Sequence, residues 1–475
     1  MTRMHMFTVL FAVSLLISCG SQHPVPQLSY PEEARDGLGD IVYIGLDRNV
    51  YTVDADGTNE VPITVETTNE ERMTPNFSLP TWSPDGRKVA FMGFSVEATQ
   101  EDDEQRELRS TLYVADAGEA SITTAFSSLD TSPFYLYWAP DSERLSFAST
   151  YNDSDLGLSL QVIQADGEQH NNLVSGRPMY WAWAPDGSKI VAHSGSGSVG
   201  EISIVALRGS SGSVDRLAQQ PSPFQAPAYS PDGSMIAAAI EGSEGENRLV
   251  TFPPAGAPAQ TIAEIEGTAA FAWSPDGSRI AYIDGYSDPI GGLRGQLHVI
   301  RPEPVPSTVS LDLAATEIPA GDGVIAFFWS PDGSKLAFFR PVPSVSGPQR
   351  MIMTLFVFDL EDREVRGYGT FPASTSFAYQ VLAQFDQYQR SSTIWSPDSS
   401  KLVLSGMEDE NTPAIYVVDL EAGRPRKVAE GHLAFWRPGS PIGVSYSSNT
   451  ISSLDTPRYV RMSRRSRTIS SGPQR

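Results

Sequence analysis

Cysteine, histidine and basic charge are all scarce in this chain of 475 residues. A single cysteine excludes an internal disulfide and any cysteine-based zinc site. The six histidines, His5, His23, His170, His193, His298 and His432, show no metal-ligand spacing and no H-E-x-x-H, so neither a metal nor a cofactor is expected. With 34 Lys and Arg against 57 Asp and Glu, the formal net charge is −23. No basic excess is left to displace counterions from phosphates, which excludes nucleic acid as a partner. There is no G-x-S-x-G and no catalytic residue is assigned. Gly195 to Gly200 reads G-x-G-x-x-G, but in a strand-to-strand loop it lacks the helix N-terminus that a pyrophosphate needs. The most apolar stretch, Phe7 to Ile17, is too short to span a bilayer as a helix.

What the chain has in quantity is turn residues, 39 Gly and 36 Pro, and a repeated phrase that uses them. The phrase reads TWSPDGRKVAF from Thr81, YWAPDSERLSF from Tyr137, AWAPDGSKIVA from Ala182 and AYSPDGSMIAA from Ala228. It returns as AWSPDGSRIAY from Ala272, FWSPDGSKLAF from Phe328 and IWSPDSSKLVL from Ile394, with a decayed copy, FWRPGSPIGVS, from Phe435. The aromatic anchors are Trp82, Trp138, Trp183, Tyr229, Trp273, Trp329, Trp395 and Trp436, separated by 56, 45, 46, 44, 56, 66 and 41 residues. A period of roughly 45 residues with insertions is that of propeller blades.

Each phrase predicts strand, turn, strand. Pro fixes the first turn position, Asp bonds its local backbone and Gly accepts a positive φ. Ser142 and Ser399 replace that Gly, so their turns must strain or change type. Alternation predicts Lys88 and Ala90 outward, Val89 and Phe91 inward. The Trp suits a wedge between neighbouring sheets. A third-strand phrase follows: LYVADAG from Leu112, LQVIQADG from Leu160, ISIVALRG from Ile202, LVTFPPAG from Leu249, LHVIRPEP from Leu297, LFVFDLED from Leu355 and IYVVDLEAG from Ile415. One copy, VYTVDADG from Val50, precedes the first Trp phrase, and none follows Trp436. Eight copies of each, offset by half a unit, predict eight four-stranded blades closed by pairing of N- and C-terminal strands. Seven is the alternative, with the copy at Trp436 a capping strand only.

These phrases resemble the TolB-like, WD-repeat-like propeller family, whose hallmark is W-S-P-D-G at the first turn of each blade. The resemblance covers about residues 40–448 and implies an all-β propeller. It implies no single activity, since the same repeat serves scaffolds, lyases and the propeller halves of prolyl peptidases.

The N-terminus supplies an address. Arg3, the apolar stretch and Leu16-Ile17-Ser18-Cys19 resemble a bacterial lipoprotein signal, in which the cysteine is lipidated. The only Cys stands where that signal needs it, and several acyl chains anchor stably where one is marginal. The division is then a signal peptide over 1–18, a tether over 19–38, a propeller over 39–450 and a basic disordered tail over 451–475. The tail carries six Arg and no acid after residue 457.

Propeller geometry puts the short SPDG turns on one rim and the insertions 93–110, 284–296, 340–353 and 368–392 on the other. Long loops on a rigid scaffold are where binding resides. Glu101, Asp102, Asp103 and Glu104 form an acidic run suited to a basic partner or simply to solvent. Phe377, Val381, Phe385 and Tyr388 fall on one face of an amphipathic helix capped by Ser374 or Ser376, a docking element or a cover for the channel mouth. His193, at the end of a second strand, is the best-placed channel ligand among the histidines. The expectation is a lipid-anchored envelope module that binds a protein or glycan partner at its long-loop rim. The alternative is a carbohydrate-active enzyme, a polysaccharide lyase or hydrolase, at the channel mouth. Oligomeric state leaves no mark on the sequence.

Overall fold

The computed structural model describes residues 27–65, 76–98, 106–151, 157–208, 211–223, 225–242, 245–256, 258–287, 293–302, 309–310, 323–342 and 351–439. Cys19, the run Glu101 to Glu104 and the tail 451–475 lie outside them. The described strands form an all-β propeller of antiparallel sheets. Blade 1 shows the plan. Its inner strand Asn76–Trp82 is followed by Lys88–Ala98, Arg106–Asp116 and Ser121–Ser128, hydrogen-bonded in that order. Blades 2 to 6 repeat it over 131–176, 179–216, 228–265, 268–310 and 326–372.

Among the described residues the sheets number seven, the alternative count, rather than the eight expected first. The seventh has six strands, because the copies at Trp395 and Trp436 do not form separate sheets. Strand Pro425–Trp436 runs uninterrupted through both. Its first half pairs with Pro413–Asp419, and its second half pairs with Ile41–Gly45, with Ile41 opposite Trp436 and Tyr43 opposite Ala434. Ahead of Trp395 only single bridges form, Thr393 with Trp436 and Trp395 with Leu402, since the preceding residues are helical. The expected closure of N- onto C-terminal strands is therefore made within this composite blade.

Local chemistry explains the turns. In blade 4, Ser230 donates to Asp232 Oδ1 at 2.6 Å and accepts from the Met235 N–H at 2.9 Å, while Asp232 accepts from the Ser234 N–H at 3.0 Å. The same hydroxyl–carboxylate bond, also 2.6 Å, recurs at Ser83–Asp85, Ser274–Asp276, Ser330–Asp332 and Ser396–Asp398. Ser142 and Ser399 keep the turn type of the glycines they replace, with φ of 60° and 58°. Their hydroxyls gain a partner in the preceding blade, accepting from the N–H of Asp85 at 3.1 Å and of Asp332 at 3.2 Å.

The strands alternate less than expected. Val89, Ala90, Phe91 and Met92 are all fully buried, because each blade is covered on both faces by its neighbours. The aromatic wedges tie those neighbours together. Trp138, Trp273, Trp329 and Trp395 each donate Nε1 to the carbonyl just before the preceding blade's aromatic anchor: Thr81, Ala228, Ala272 and Phe328, at 3.0–3.3 Å. Trp183 reaches Tyr137 through a relay, donating to Ser146 Oγ at 2.9 Å, which in turn donates to the Tyr137 carbonyl at 2.9 Å.

Candidate functional site

The longest spacing between aromatic anchors, from Trp329 to Trp395, holds a helical segment rather than a loop. It runs through a π turn Phe377–Val381, a 3-10 turn Leu382–Gln384 and an α-helix, α1, Phe385–Ser391. Ser374, rather than Ser376, supplies the cap: its Oγ accepts from the Phe377 N–H at 3.2 Å and donates to the His432 carbonyl at 2.7 Å.

This segment fills the channel, touching the inner strands of most blades. Thr81 of blade 1 donates to the Ser391 carbonyl at 2.8 Å, and Tyr135 of blade 2 donates to the Gln387 carbonyl at 2.6 Å. Gln387 Nε2 donates to the Trp181 carbonyl of blade 3 at 3.1 Å. Phe385 packs on Phe327 of blade 6 with ring centroids 4.8 Å apart. Phe377 meets Phe339 at 5.7 Å, and Tyr388 meets Tyr135 edge-on at 5.1 Å. Phe377, Val381, Phe385 and Tyr388 are 0–8% exposed. They form the apolar interior of the channel, which corrects the expectation of a docking face built from them.

Two charged residues on the same segment complete blade 4, whose inner strand, Ala228–Tyr229, is the shortest of the blades. Arg390 donates from Nη2 to the Ala226 carbonyl at 2.7 Å and from Nη1 to the Pro227 carbonyl at 2.6 Å. Asp386, one turn earlier and buried, stands against Arg390 and the Ala226 backbone N–H. Burial pushes its carboxyl above the usual range, and Arg390 and the backbone N–H groups pull it back only in part. The side chains thus supply bonds that a longer strand would have made.

His193 belongs to the same region but is no channel ligand. It is fully buried, with Nδ1 3.0 Å from the Gln225 carbonyl and Nε2 3.1 Å from the Gly195 carbonyl. Both ring nitrogens face backbone carbonyls, of which a neutral imidazole can donate to only one, and burial holds its pKa below the ordinary value despite those carbonyls. Among the described residues no three His, Cys, Asp or Glu are grouped to hold a metal.

With the channel filled, open space remains at its mouths. On the long-loop side a cavity of about 350 Å³ lies between the segment and blades 2 and 3. Phe134, Met179, Tyr180, Trp181 and Tyr379 give it an apolar wall, and Gln380, Gln384 and Gln387 bring amides. Tyr379 is 45% exposed, whereas Gln387 is 4% exposed and its Oε1 lacks a partner. The described parts of two insertions beside this mouth are paired strands rather than irregular loops. Lys88–Ala98 pairs with Arg106–Asp116 as far as Ala98 and Arg106, and Ile280–Ser287 pairs with Leu293–Ile300 throughout. On the SPDG side a second cavity, of about 400 Å³, is ringed by repeat aromatics and exposed turn prolines, with Gln389 and Arg390 at its floor.

Sequence reasoning found Phe377, Val381, Phe385 and Tyr388 but not what they face, and it missed Asp386, Gln387 and Arg390. The available signal was an Asp and an Arg four apart inside a helix with no other charge, a pairing that burial makes necessary. Tyr229, the single repeat aromatic that is not Trp, carried a further signal.

A family model described as the TolB beta propeller domain matches residues 41–290. No curated protein matches the chain. Among solved structures, one from a study of two prolyl endopeptidases is 14% identical with a TM-score of 0.50, covering 77% of this chain and 51% of that one. An oligogalacturonate lyase from Vibrio parahaemolyticus is 14% identical with a TM-score of 0.45, covering 73% of this chain and 86% of that one. TolB from Acinetobacter baumannii is 16% identical with a TM-score of 0.36, covering 73% and 82%. At these identities a structure speaks for the fold alone, and of these three the first, at a TM-score of 0.50, does so. The family model spans more than half of the sequence, and the chain belongs to the TolB beta propeller domain family.

Proposed function

We propose that this chain is a recognition module of the cell envelope, lipid-anchored through Cys19, that binds a protein or glycan partner at its long-loop mouth. The observation that carries the reading is the filled channel. The segment 374–391 is bonded into the inner strands of blades 1 to 4, so the ligand site lies on the surface above it rather than inside it. The cavity there joins aromatic faces to amides, a combination that holds a sugar ring or a peptide backbone equally well. The buried Oε1 of Gln387 awaits a donor. The enzyme reading asked for His193 and carboxylates at the mouth. His193 is sealed by two carbonyls and Asp386 by Arg390 and backbone.

The test is affinity capture from the native envelope with the full chain and with Tyr379→Ala, an exposed position whose loss leaves the interior intact. A stoichiometric protein or glycan retained by the first and lost by the second supports the reading. Equal recovery by both places the partner elsewhere. Cys19→Ser tests the anchor separately and is expected to release the protein from the membrane fraction.

A further inference from the structure

We propose that the SPDG rim carries a second site, at the seam of blades 3 and 4, that takes an arginine side chain of a basic partner polypeptide. The seam lacks a tie that four others have. At those four an indole crosses to the carbonyl before the previous anchor, a position held here by the carbonyl of Ala182. Tyr229 stands in place of that Trp and makes no such bond. Its hydroxyl is buried without a partner, the residue is 8% exposed, and both it and Ala182 line the 400 Å³ cavity. The cross-turn tie of the two seams before it is missing too. Lys88 and Arg144 each reach a carbonyl of the next turn, Ser142 at 3.1 Å and Gly187 at 2.7 Å. Lys189, at the same register position in blade 3, is exposed and makes no such bond among the described residues.

The rim already shows what it accepts. Arg144 lies 5.1 Å over the Trp183 ring and Arg437 lies 5.3 Å over the Trp82 ring, each also donating to a backbone carbonyl. A guanidinium from outside finds the same elements at the open seam: the Trp273 ring, the Tyr229 hydroxyl and the turn of Asp186. Charge favours it. Asp232, Asp276, Asp332 and Asp398 sit exposed on the turns around the cavity, in a chain of net charge −23. Arg390 on the lining is a single opposing charge, turned toward the Ala226 and Pro227 carbonyls, against those four turn carboxylates.

The experiment titrates the full chain with a tri-arginine peptide and with tri-citrulline, which keeps the shape and removes the charge, following tryptophan fluorescence. Tri-arginine is expected to bind about tenfold more tightly than tri-citrulline, and more weakly as salt rises. Tyr229→Trp, which restores the repeat and closes the seam, should weaken tri-arginine about tenfold. Tyr229→Phe, which keeps the ring and removes the hydroxyl, should weaken it less and guards against a folding defect in the larger substitution. Equal binding of the two peptides, or tri-arginine binding unchanged in both variants, overturns the proposal. So does preferential binding of a neutral disaccharide lost in the same variants. Because the site lies on the opposite rim, its failure leaves the long-loop reading untouched.

Discussion

The hydroxyl of Tyr135 donates to the carbonyl of Gln387 at 2.6 Å, across 252 residues of sequence. Tyr135 is 5% exposed and lies in the inner strand of blade 2, so the bond fastens the channel segment to the propeller wall. Tyr135→Phe keeps the edge-on contact with Tyr388 and removes only the hydroxyl. It leaves a helix carbonyl without its buried donor, and we expect a loss of about 1–3 kcal/mol. Urea unfolding of the two proteins measures it. A loss near zero would mean that water reaches the Gln387 carbonyl.

Arg390→Met should cost more. It strands the Ala226 and Pro227 carbonyls and leaves the buried Asp386 without its counter-charge. Breaking one side of a buried pair typically costs about 3–5 kcal/mol. The double variant Asp386→Asn with Arg390→Met should recover part of that loss, since no unpaired charge remains. A double variant less stable than Arg390→Met alone would show that Asp386 acts through the Ala226 N–H and not through charge.

Ser142 and Ser399 give a paired prediction. Each adopts a positive φ that costs a residue with a Cβ, and each offsets the cost with a hydroxyl bond to the preceding turn. Ser142→Gly removes strain and bond together and should change stability by less than about 1 kcal/mol. Ser142→Ala keeps the strain and loses the bond, and should cost about 1–2 kcal/mol. Thermal unfolding of both variants separates the two effects: equal values for Gly and Ala would remove the strain from the account, and an Ala variant as stable as the Ser protein would remove the hydroxyl.

The repeat was legible because each turn is local chemistry. The Ser–Pro–Asp–Gly order dictates its own hydrogen bonds, and the hydroxyl–carboxylate bond recurs at five copies from Ser83 to Ser396, Ala139 and Ala184 having no hydroxyl to make it. The sheet count was not legible from those copies. Whether Trp395 and Trp436 belong to one sheet depends on the residues ahead of Trp395, and those were drawn into the channel by Phe377 and Phe385. The i, i+4 pattern of that segment gave a helix with an apolar face. Periodicity cannot say whether such a face meets a partner or the protein's own interior. Nor does the pattern reveal that His193, a plausible ligand by position, points at two carbonyls. The gap at Tyr229 needed the structure as well, because only the bonds made by its Trp counterparts show what the phenol fails to do.

Histidine burial sets the behaviour in mild acid. Burial holds His170, His193, His298 and His432 below the ordinary pKa, which is about 6.5 in an unfolded chain. Below that value the unfolded state binds protons that the folded state refuses, so unfolding becomes easier as pH falls. The turn carboxylates do not contribute in that window. Asp232 is held below its ordinary value by the Ser230 hydroxyl, and Asp398, held by the Ser396 hydroxyl, lies at about 2. Their stabilisation is present above about 4 and is lost only below it. Asp386, raised by burial, has the opposite sign: its burial is least costly when protonated, and it gains as pH falls through its raised folded value. Stability should therefore decline from pH 7 to about 5.5 through the histidines, offset by whatever Asp386 returns as it takes up its proton. His193→Gln should show a shallower decline over the same range, whatever its absolute stability. Urea unfolding at three or four pH values gives both slopes. A flat profile for the unmodified chain would mean that these imidazoles accept protons as readily folded as unfolded, with the Gln225 and Gly195 carbonyls outweighing burial at His193.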